Sequence, residues 1–337
     1  MVSIKDIATA CSVSIATVSK ALNNHNDVSE ATKKKVCETA KKLGYLPNSQ
    51  ARALKTNRTY NLGVLFAESA QRGLTHNYFG SVLNSFKNEA EYQGYDITFI
   101  SQDIGQHEMT FYEHCKYRNV DGVVVVCTDN YENKGFKQLL NSDVPIVLID
   151  YTKVKLCSVV SDNYEGVSSL VDYVYKKGHR KIAYIYGDAS DVTEIRLKSF
   201  RDSMDRLNIK IREDYLLQGR YHDPKQTEYL IDRIMNIDNP PTCIMLSDDF
   251  SSIGAINAFE KLGLSIPDDV SIVGYDGIVL SQVLNPKLTT YKQDTEKIGM
   301  EAARILISLI KKEISTEAGP IYIQGCLLEG SSVKDLN

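Results

Sequence analysis

Apolar positions at the start of the chain recur at the three- and four-residue spacing of amphipathic helices, in three short groups. Each group follows a serine that can cap a helix: Ser3, with Asp6 three residues later, then Ser14 and Ser29. Gly44 follows the third group, as expected where a helix ends. The pattern predicts three helices with a tight turn between the first two, which is the order of a helix-turn-helix unit.

From residue 61 the pattern changes to short apolar runs that alternate with helical stretches. The runs NLGVLF, ITFIS, GVVVVC and VPIVLID form one series, and KIAYIYG, TCIMLS and VSIVGYD form a second. Strands that alternate with helices predict parallel sheets with helices on both faces. Two series predict two lobes, which divide near residue 161, with return crossings of the chain near residues 292 and 324.

The charge of the chain is unevenly distributed. Residues 1–58 contain ten Lys or Arg and four Asp or Glu, a formal charge of +6, which leaves −10 for the remainder because the whole chain carries −4. A basic head on an acidic body indicates that the head meets a polyanion. The alternative is a lysine-rich surface that only faces solvent.

Several classes of protein are disfavoured by what the sequence contains. Its seven cysteines, an odd number without a C-x-x-C motif, argue for reduced thiols. No apolar run approaches the ~20 residues of a membrane span, and the start MVSIKDIATA has no signal-peptide pattern. H-E-x-x-H, G-x-S-x-G and phosphate-binding glycine motifs are missing. We therefore expect a cytoplasmic protein with no membrane partner, metal, cofactor or catalytic site.

The second helical segment, SIATVSKALN, has the composition of a helix that reads DNA. The recognition helix of such a unit enters the major groove with its N-terminal residues at the base edges. Ile15 and Ala16 can contact thymine methyl groups, and Lys20 can donate to guanine. Three hydroxyl side chains can donate to phosphates: Ser14, Thr17 and Ser19.

The head resembles the DNA-binding domain of the lactose/galactose repressor family of bacterial transcription regulators. The likeness extends almost position by position through SIKDIATACSVSIATVSKALN and VSEATKKKVCETAKKLGYLPNSQARALKT. It implies that Ile15, Ala16 and Lys20 read bases. It also implies that PNSQARAL folds into a hinge helix on the operator, with Leu54 wedged into the minor groove and Ala51 beside it. A wedge of this kind unstacks base steps and bends the duplex, whereas Leu54 taken alone would be an ordinary linker residue.

The body resembles the sugar-binding core that this family shares with periplasmic sugar-binding proteins. The motifs are GHRKIAYIYG, R-x-x-x-F at Arg196, GAINAFEKLGLSIPDDVSIVGYD and LTTYKQD. The resemblance implies an α/β protein with an all-α helix-turn-helix head at 1–46. A hinge helix and linker at 47–60 would join the head to a two-lobed, periplasmic-binding-protein-like core with parallel sheets at 61–337.

Candidate effector contacts lie where strands of the core end, the edge at which open parallel sheets bind ligands. The resemblance implies the following contacts: Tyr78, Phe79, Asp150, Arg196, Tyr221, Asp248 and Asp276. Carboxylates accept hydrogen bonds from hydroxyls, arginine donates them, and an aromatic ring covers the apolar face of a sugar. Any one of these acids alone would be a helix cap or turn residue, whereas the set indicates a site for a small sugar-like effector. Asp249 matches a more structural acid.

The function that follows is a DNA-binding transcription regulator, a repressor of carbohydrate-utilisation genes that responds to this effector. Because one head covers half a site, we expect a homodimer on a pseudo-palindromic operator. A global regulator with a phosphocarrier protein as corepressor stays open, as does a solute-binding protein, which the basic head disfavours. The stretch FAESAQRGLTHNYF is longer than the usual family version, and the base-reading residues Ile15 and Ala16 differ from those of the better-known members. These two departures leave the effector and the operator undetermined.

Overall fold

The computed structural model describes residues 2–46, 58–67, 73–102, 104–127, 134–316 and 319–337. The chain divides into two compact units, Met1–Thr59 and Tyr60–Asn337. Each unit has its own hydrophobic core. Ala51 and Leu54, and with them the expected hinge helix, lie outside the described residues.

Over residues 2–46, the structure describes three helices, α1 (Ile4–Cys11), α2 (Ile15–Leu22) and α3 (Glu30–Leu43). Each begins at one of the predicted serine caps, and at the first of these a reciprocal capping box is complete. Gly44 ends α3 in the left-handed conformation. Ile7, Val18 and Val36 have no exposed surface, and full burial stabilises each by about 1.5–3 kcal/mol. The predicted three-helix head is confirmed.

One lobe of the second unit is built on a parallel sheet. Its strands are β1 (Asn61–Ala67), β2 (Asp96–Ile100), β3 (Gly122–Cys127), β4 (Ile146–Ile149), β5 (Ser158–Ser161) and β11 (Pro320–Ile323). Their order across the sheet is β11, β5, β4, β3, β1, β2. The central β4 is buried along its whole length, as expected for a parallel strand covered on both faces.

Among the described residues, four helices cover this sheet. They are α4 (Asn77–Tyr92), α5 (Phe111–Arg118), α6 (Lys134–Leu140) and α12 (Thr295–Lys311). Helix α12 comes from the far end of the sequence and packs closely on α4. Gly299 permits this approach, because a Cβ atom there would lie 2.3 Å from the carbonyl oxygen of Val82.

The other lobe has a second sheet with one antiparallel edge. Its strands are β6 (Ile182–Tyr186), β7 (Leu216–Gln218), β8 (Cys243–Met245), β9 (Ser271–Asp276), β10 (Thr289–Lys292) and β12 (Cys326–Leu328). Their order is β12, β10, β9, β8, β6, β7, and only β12 runs antiparallel to its neighbour. The helices are α7 (Asn163–Lys176), α8 (Asp191–Arg206), α9 (Pro224–Met235), α10 (Ser252–Leu262) and α11 (Val279–Val283).

The chain passes between the two sheets three times: after β5, after β10, and between β11 and β12. The predicted α/β class is confirmed, and the predicted parallel pairing holds in both sheets except at one edge. The antiparallel edge strand is the departure, and it follows from the third passage, which returns β12 against β10 through only the two residues 324 and 325.

Candidate functional site

The outer face of α2 carries the residues predicted to read DNA. Ser14, Ile15, Ala16 and Lys20 are exposed, and Ile15 has 53% of its surface accessible. The inner face of the helix is filled by Val18 and Ala21. A β-branched apolar side chain thus remains on the surface of the first turn, where a major groove would be met.

The polar side chains of α2 have partners within the head. Ser14 Oγ accepts from the backbone N–H of Thr17 at 3.0 Å and lies 2.8 Å from Thr17 Oγ1, so both hydroxyls help to stabilise the helix start. Thr17 and Ser19 are half-buried. Lys20 in the last turn pairs with Asp27, and an ion pair this exposed contributes little to stability. Breaking this pair so that Lys20 can contact a base or a phosphate therefore requires little free energy.

Part of the positive charge of the head is structural. Lys33 is buried and pairs with Glu30 at 2.8 Å. Lys35 donates to the carbonyl oxygen of Cys11 at 3.1 Å, which joins α3 to α1. Both side chains have partners within the head, so neither serves solely as a phosphate contact. The formal charge of the head therefore overstates the positive charge that it offers to DNA.

In the core, Asp150 follows β4 with a left-handed backbone, φ 56°. The Tyr78 hydroxyl on α4 donates to Asp150 Oδ2 at 2.6 Å, and the backbone N–H of Ser161 donates to Oδ1 at 3.1 Å. Burial nevertheless raises the pKa of Asp150 above its usual value. Burial and the neighbouring carboxylate raise the pKa of Tyr78 well above the ordinary range, so Tyr78 remains a donor. The structure brings these two predicted contacts together.

Asp276 is the last residue of β9 and has φ 109°, a region that residues other than glycine rarely adopt. Gln293 Nε2 donates to its Oδ1 at 2.7 Å. Burial raises the pKa of Asp276 to about 7, although the positive charge of Arg196 opposes the shift. A strained, buried carboxylate at a strand end is typical of a functional position.

Arg196, on α8, is buried and held on three sides. Its Nε donates to Asn163 Oδ1 at 2.8 Å and its Nη1 donates to the carbonyl oxygen of Ser247 at 3.1 Å. The guanidinium carbon lies 3.6 Å from the ring centroid of Tyr275. This packing fixes the planar donor fork in one orientation beside the buried carboxylates.

Asp248 and Asp249 differ in how far protein donors occupy them. Asp248 accepts four hydrogen bonds, from the backbone N–H groups of His222 and Ser251 and from the hydroxyls of Ser247 and Ser251. Asp249 accepts from Thr290 Oγ1 at 2.6 Å and from the backbone N–H of Ile278 at 2.9 Å. Both carboxylates therefore fix loops at the ends of β8 and β9, and the pKa of each is raised by burial.

The other two predicted aromatic contacts, besides Tyr78, lie in different lobes. Tyr221 Oη is 2.8 Å from Thr193 Oγ1, and its ring covers Gly187, where a Cβ atom would lie 2.3 Å from the ring. Phe79 is buried behind Tyr78, with ring centroids 5.0 Å apart in an edge-on arrangement. Phe79 thus supports Tyr78, whereas Tyr221 lies beside Arg196, with the guanidinium 5.8 Å from its ring centroid.

Sequence reasoning did not assign roles to several residues that build this site. His76 precedes α4 and His222 follows β7, and their ring centroids are 4.0 Å apart, so they join the two lobes directly. Asn163 receives hydrogen bonds from both Arg196 and the Tyr275 hydroxyl. His76 lies in the stretch FAESAQRGLTHNYF, which is longer than the usual family version. That extra length was the one sequence feature that could have drawn attention to this residue.

The cleft group, defined here as Tyr78, Asp150, Arg196, Tyr221 and Asp276, combines hydrogen-bond acceptors, one fixed cation and an aromatic face. Such a set is suited to a ligand rich in hydroxyl groups. Within the described ranges, no three His, Cys, Asp or Glu side chains are placed to hold a metal ion. No helix among those residues is long and apolar enough to cross a membrane.

Known protein families match both the helix-turn-helix head and the two-lobed core. Residues 3–48 match the family model described as bacterial regulatory proteins, lacI family, and residues 171–333 match a periplasmic binding protein-like domain. The chain is 31% identical over 339 residues to a probable HTH-type transcriptional repressor, ExuR, of Bacillus subtilis (strain 168), which covers 100% of this chain and 99% of that protein.

Solved structures share the fold. A lac repressor dimer bound to operator and the anti-inducer ONPF has a TM-score of 0.80 and 23% identity, covering 99% of each chain. A complex of the transcriptional regulator CelR with cellobiose has a TM-score of 0.69 and 23% identity, covering 98% of this chain and 100% of that one.

A helix-turn-helix head on a two-lobed, periplasmic-binding-protein-like core defines a ligand-responsive, DNA-binding transcriptional repressor rather than an enzyme. The chain belongs to the lacI family of bacterial regulatory proteins.

Proposed function

We propose that this repressor controls carbohydrate-utilisation genes and responds to a sugar bound by the cleft group. The observation that carries the proposal is the buried pairing of Tyr78 with Asp150 in one lobe, opposite Asp276 and Arg196 in the other. Buried carboxylates that keep acceptor capacity are favourable only when donors reach them. The hydroxyl groups of a sugar supply such donors, and Tyr221 supplies an aromatic face.

Asp248 has a smaller part in this proposal than the resemblance implied. Four protein donors already occupy its oxygens, so it shapes the loop that carries His222. The CelR structure was solved with cellobiose, which supports a carbohydrate as the class of effector. Phe79 acts through its packing on Tyr78.

DNA recognition is assigned to the exposed face of α2, with Ile15 and Ala16 in the first turn against thymine methyl groups and Lys20 in the last turn on a guanine. Ser14, Thr17 and Ser19 would contact phosphates while they cap or support the helix. The roles of Leu54 and Ala51 rest on the resemblance alone. These assignments require two heads on one operator, and thus a homodimer.

A surface suited to that dimer lies on α11. Val279 and Val283 are four residues apart on this helix and have 79% and 70% of their surfaces exposed. Neighbouring apolar side chains this exposed are typical of an interaction surface. We place part of the contact between two copies of the chain here.

The proposal is tested first by a thermal-shift screen against monosaccharides and disaccharides. A ligand that binds only the folded protein raises its melting temperature. A sugar that raises it must then change the operator affinity in a gel-shift or fluorescence-anisotropy titration. If no sugar shifts the melting temperature, the carbohydrate assignment is wrong even though the repressor class stands.

A further inference from the structure

A second cavity, lined by both polar and apolar side chains, adjoins the cleft group. Its volume is about 380 Å³, and its lining includes Asp150, Ser161 and Asn163 near the first passage between lobes, Asp191 and Ile195 on α8, and Tyr322 on β11. Pockets that bind small molecules fall roughly between 300 and 1,000 Å³. The cavity is therefore large enough to hold a part of a ligand.

The cavity and the cleft group share a wall. Asp150 lines the cavity and accepts from Tyr78 of the cleft group. Asn163 also lines the cavity, and its Oδ1 accepts from Arg196 Nε at 2.8 Å. A ligand that reaches these two residues from the cleft would extend directly into the cavity.

Two polar atoms at the cavity are buried without a hydrogen-bond partner among the described residues. Ser161 is 2% exposed, and its Oγ is one of them. The other is Asp191 Oδ2, while Asp191 Oδ1 pairs with Lys153 Nζ at 2.5 Å. A buried polar group without a hydrogen-bond partner is unfavourable, because it has lost its contacts with water and gained none in exchange. A bound group that donates to Asp191 and exchanges a hydrogen bond with Ser161 would restore these contacts.

The lining also indicates which chemistry fits. Three carboxylates face the cavity, from Asp150, Asp162 and Asp191, against one lysine, Lys198, in the lining. This balance disfavours a phosphate or carboxylate on the ligand. Aromatic and aliphatic surfaces come from Tyr164, Tyr322, Val192 and Ile195, which suits the apolar face of a sugar ring.

We infer that this cavity is a second sugar subsite, so that the effector is an uncharged glycoside of at least two rings. The inference rests on the proposed function, in which the first ring occupies the cleft group. Asp191 Oδ2 accepts from a hydroxyl of the second ring, and Ser161 Oγ exchanges a hydrogen bond with another.

Isothermal titration calorimetry with matched sugars tests this inference. Glucose is compared with maltose and cellobiose, and galactose with lactose and melibiose, followed by the disaccharide of any other monosaccharide that binds. We expect one disaccharide to bind at least about tenfold more tightly than its component monosaccharides, which corresponds to about 1.4 kcal/mol. Asp191→Ala should lower the affinity for the disaccharide to that for the monosaccharide. The affinity for the monosaccharide should stay unchanged.

Two further variants separate recognition from folding. Ser161→Ala removes only an unpartnered hydroxyl, so its melting temperature should not fall while disaccharide affinity drops several-fold. Glu194→Ala is the matched control, because Glu194 is exposed, contacts the same Lys153 at 3.5 Å and does not line the cavity. It should bind both sugars as wild type does.

The outcomes are distinguishable. If monosaccharide and disaccharide bind equally and neither Asp191→Ala nor Ser161→Ala changes either affinity, the second subsite is refuted and the cleft assignment stands. If no sugar binds, both the subsite and the carbohydrate assignment are refuted. Disaccharide binding lost only in the two cavity variants supports the inference.

Discussion

Tyr78 donates a 2.6 Å hydrogen bond to Asp150, which lies 72 residues further along the chain. Both residues are held by the first sheet, one at the start of α4 and one just after β4. The contact places a neutral donor against a buried carboxylate and leaves that carboxylate further capacity to accept. It is the point at which the cleft group and the second cavity meet.

Tyr78→Phe keeps the aromatic ring and removes only this donor. We expect the free energy of unfolding to fall by about 1–3 kcal/mol, because Asp150 loses one of its buried partners. Urea unfolding followed by circular dichroism measures this. Tyr112→Phe is the control, since its hydroxyl lies 3.4 Å from Asp143 on an exposed face. An equal, small effect in both variants would show that the buried contact contributes little.

Asp276 makes the stability of the ligand-free protein depend on pH. Its pKa in the folded protein is about 7, against 3.8 for an ordinary Asp. The folded state holds this proton more tightly than the unfolded chain does, so the stability contributed by the group falls as pH rises from about 4 to about 7. Asp276→Asn removes the titration. Relative to wild type, the free energy of unfolding of Asp276→Asn should therefore rise by on the order of 3 kcal/mol between pH 5 and pH 8.

The measurement is urea unfolding of both proteins at pH 5 and pH 8. Asp268→Asn serves as the control, because the Asp268 side chain is 78% exposed. A difference between Asp276→Asn and wild type that does not grow with pH would contradict the raised pKa.

Local sequence signals were sufficient for most of the fold. The three serine caps and Gly44 predicted the helices of the head because capping depends on residues within one turn. Helix α4 lies in the helical stretch expected between the apolar runs NLGVLF and ITFIS. The antiparallel β12 was not predicted, because its partner β10 lies more than thirty residues away and the periodicity of a segment carries no information on pairing direction.

Lys20→Ala should weaken binding to the preferred operator by about 1–3 kcal/mol and relax the preference at one base pair. The exposed pair with Asp27 adds little to the stability of the head, so the melting temperature should be nearly unchanged. Titration against a set of single-base operator variants measures the effect. Lys34→Ala, an exposed lysine on α3, should not alter base preference. If Lys20→Ala weakens all sequences equally, Lys20 contacts phosphate instead.

The exposed apolar surface formed by Val279 and Val283 on α11 predicts a homodimer that is held together there. Wild type should be dimeric by light scattering, and Val279→Asp combined with Val283→Asp should give monomers, because a charge at an apolar contact must be desolvated. The monomer should retain the melting profile of a folded core, since both side chains are exposed. It should also bind a half-site as weakly as a single head does. A dimeric mass for the double variant would place the interface elsewhere.

The site was harder to predict than the fold. Asp150 and Asp276 could be found because they end apolar runs, and the carboxyl ends of parallel strands meet at one edge. The four donors on Asp248 and the stacking of His76 on His222 depend on loop conformations that connect distant segments. Residue type alone therefore could not separate a carboxylate that holds a loop from one that faces a ligand.

The most direct test measures operator affinity of wild type and Asp276→Ala, each with and without the sugar identified by the thermal screen. Coupling between effector binding and DNA binding is reciprocal. A cleft that cannot bind the sugar therefore cannot change the affinity for DNA when sugar is added. We predict equal operator affinity for the two proteins without sugar. Adding sugar should change the affinity of wild type and leave that of Asp276→Ala unchanged. If the variant still responds at the sugar concentration that is effective for wild type, Asp276 is only a turn residue and the cleft group does not control DNA binding.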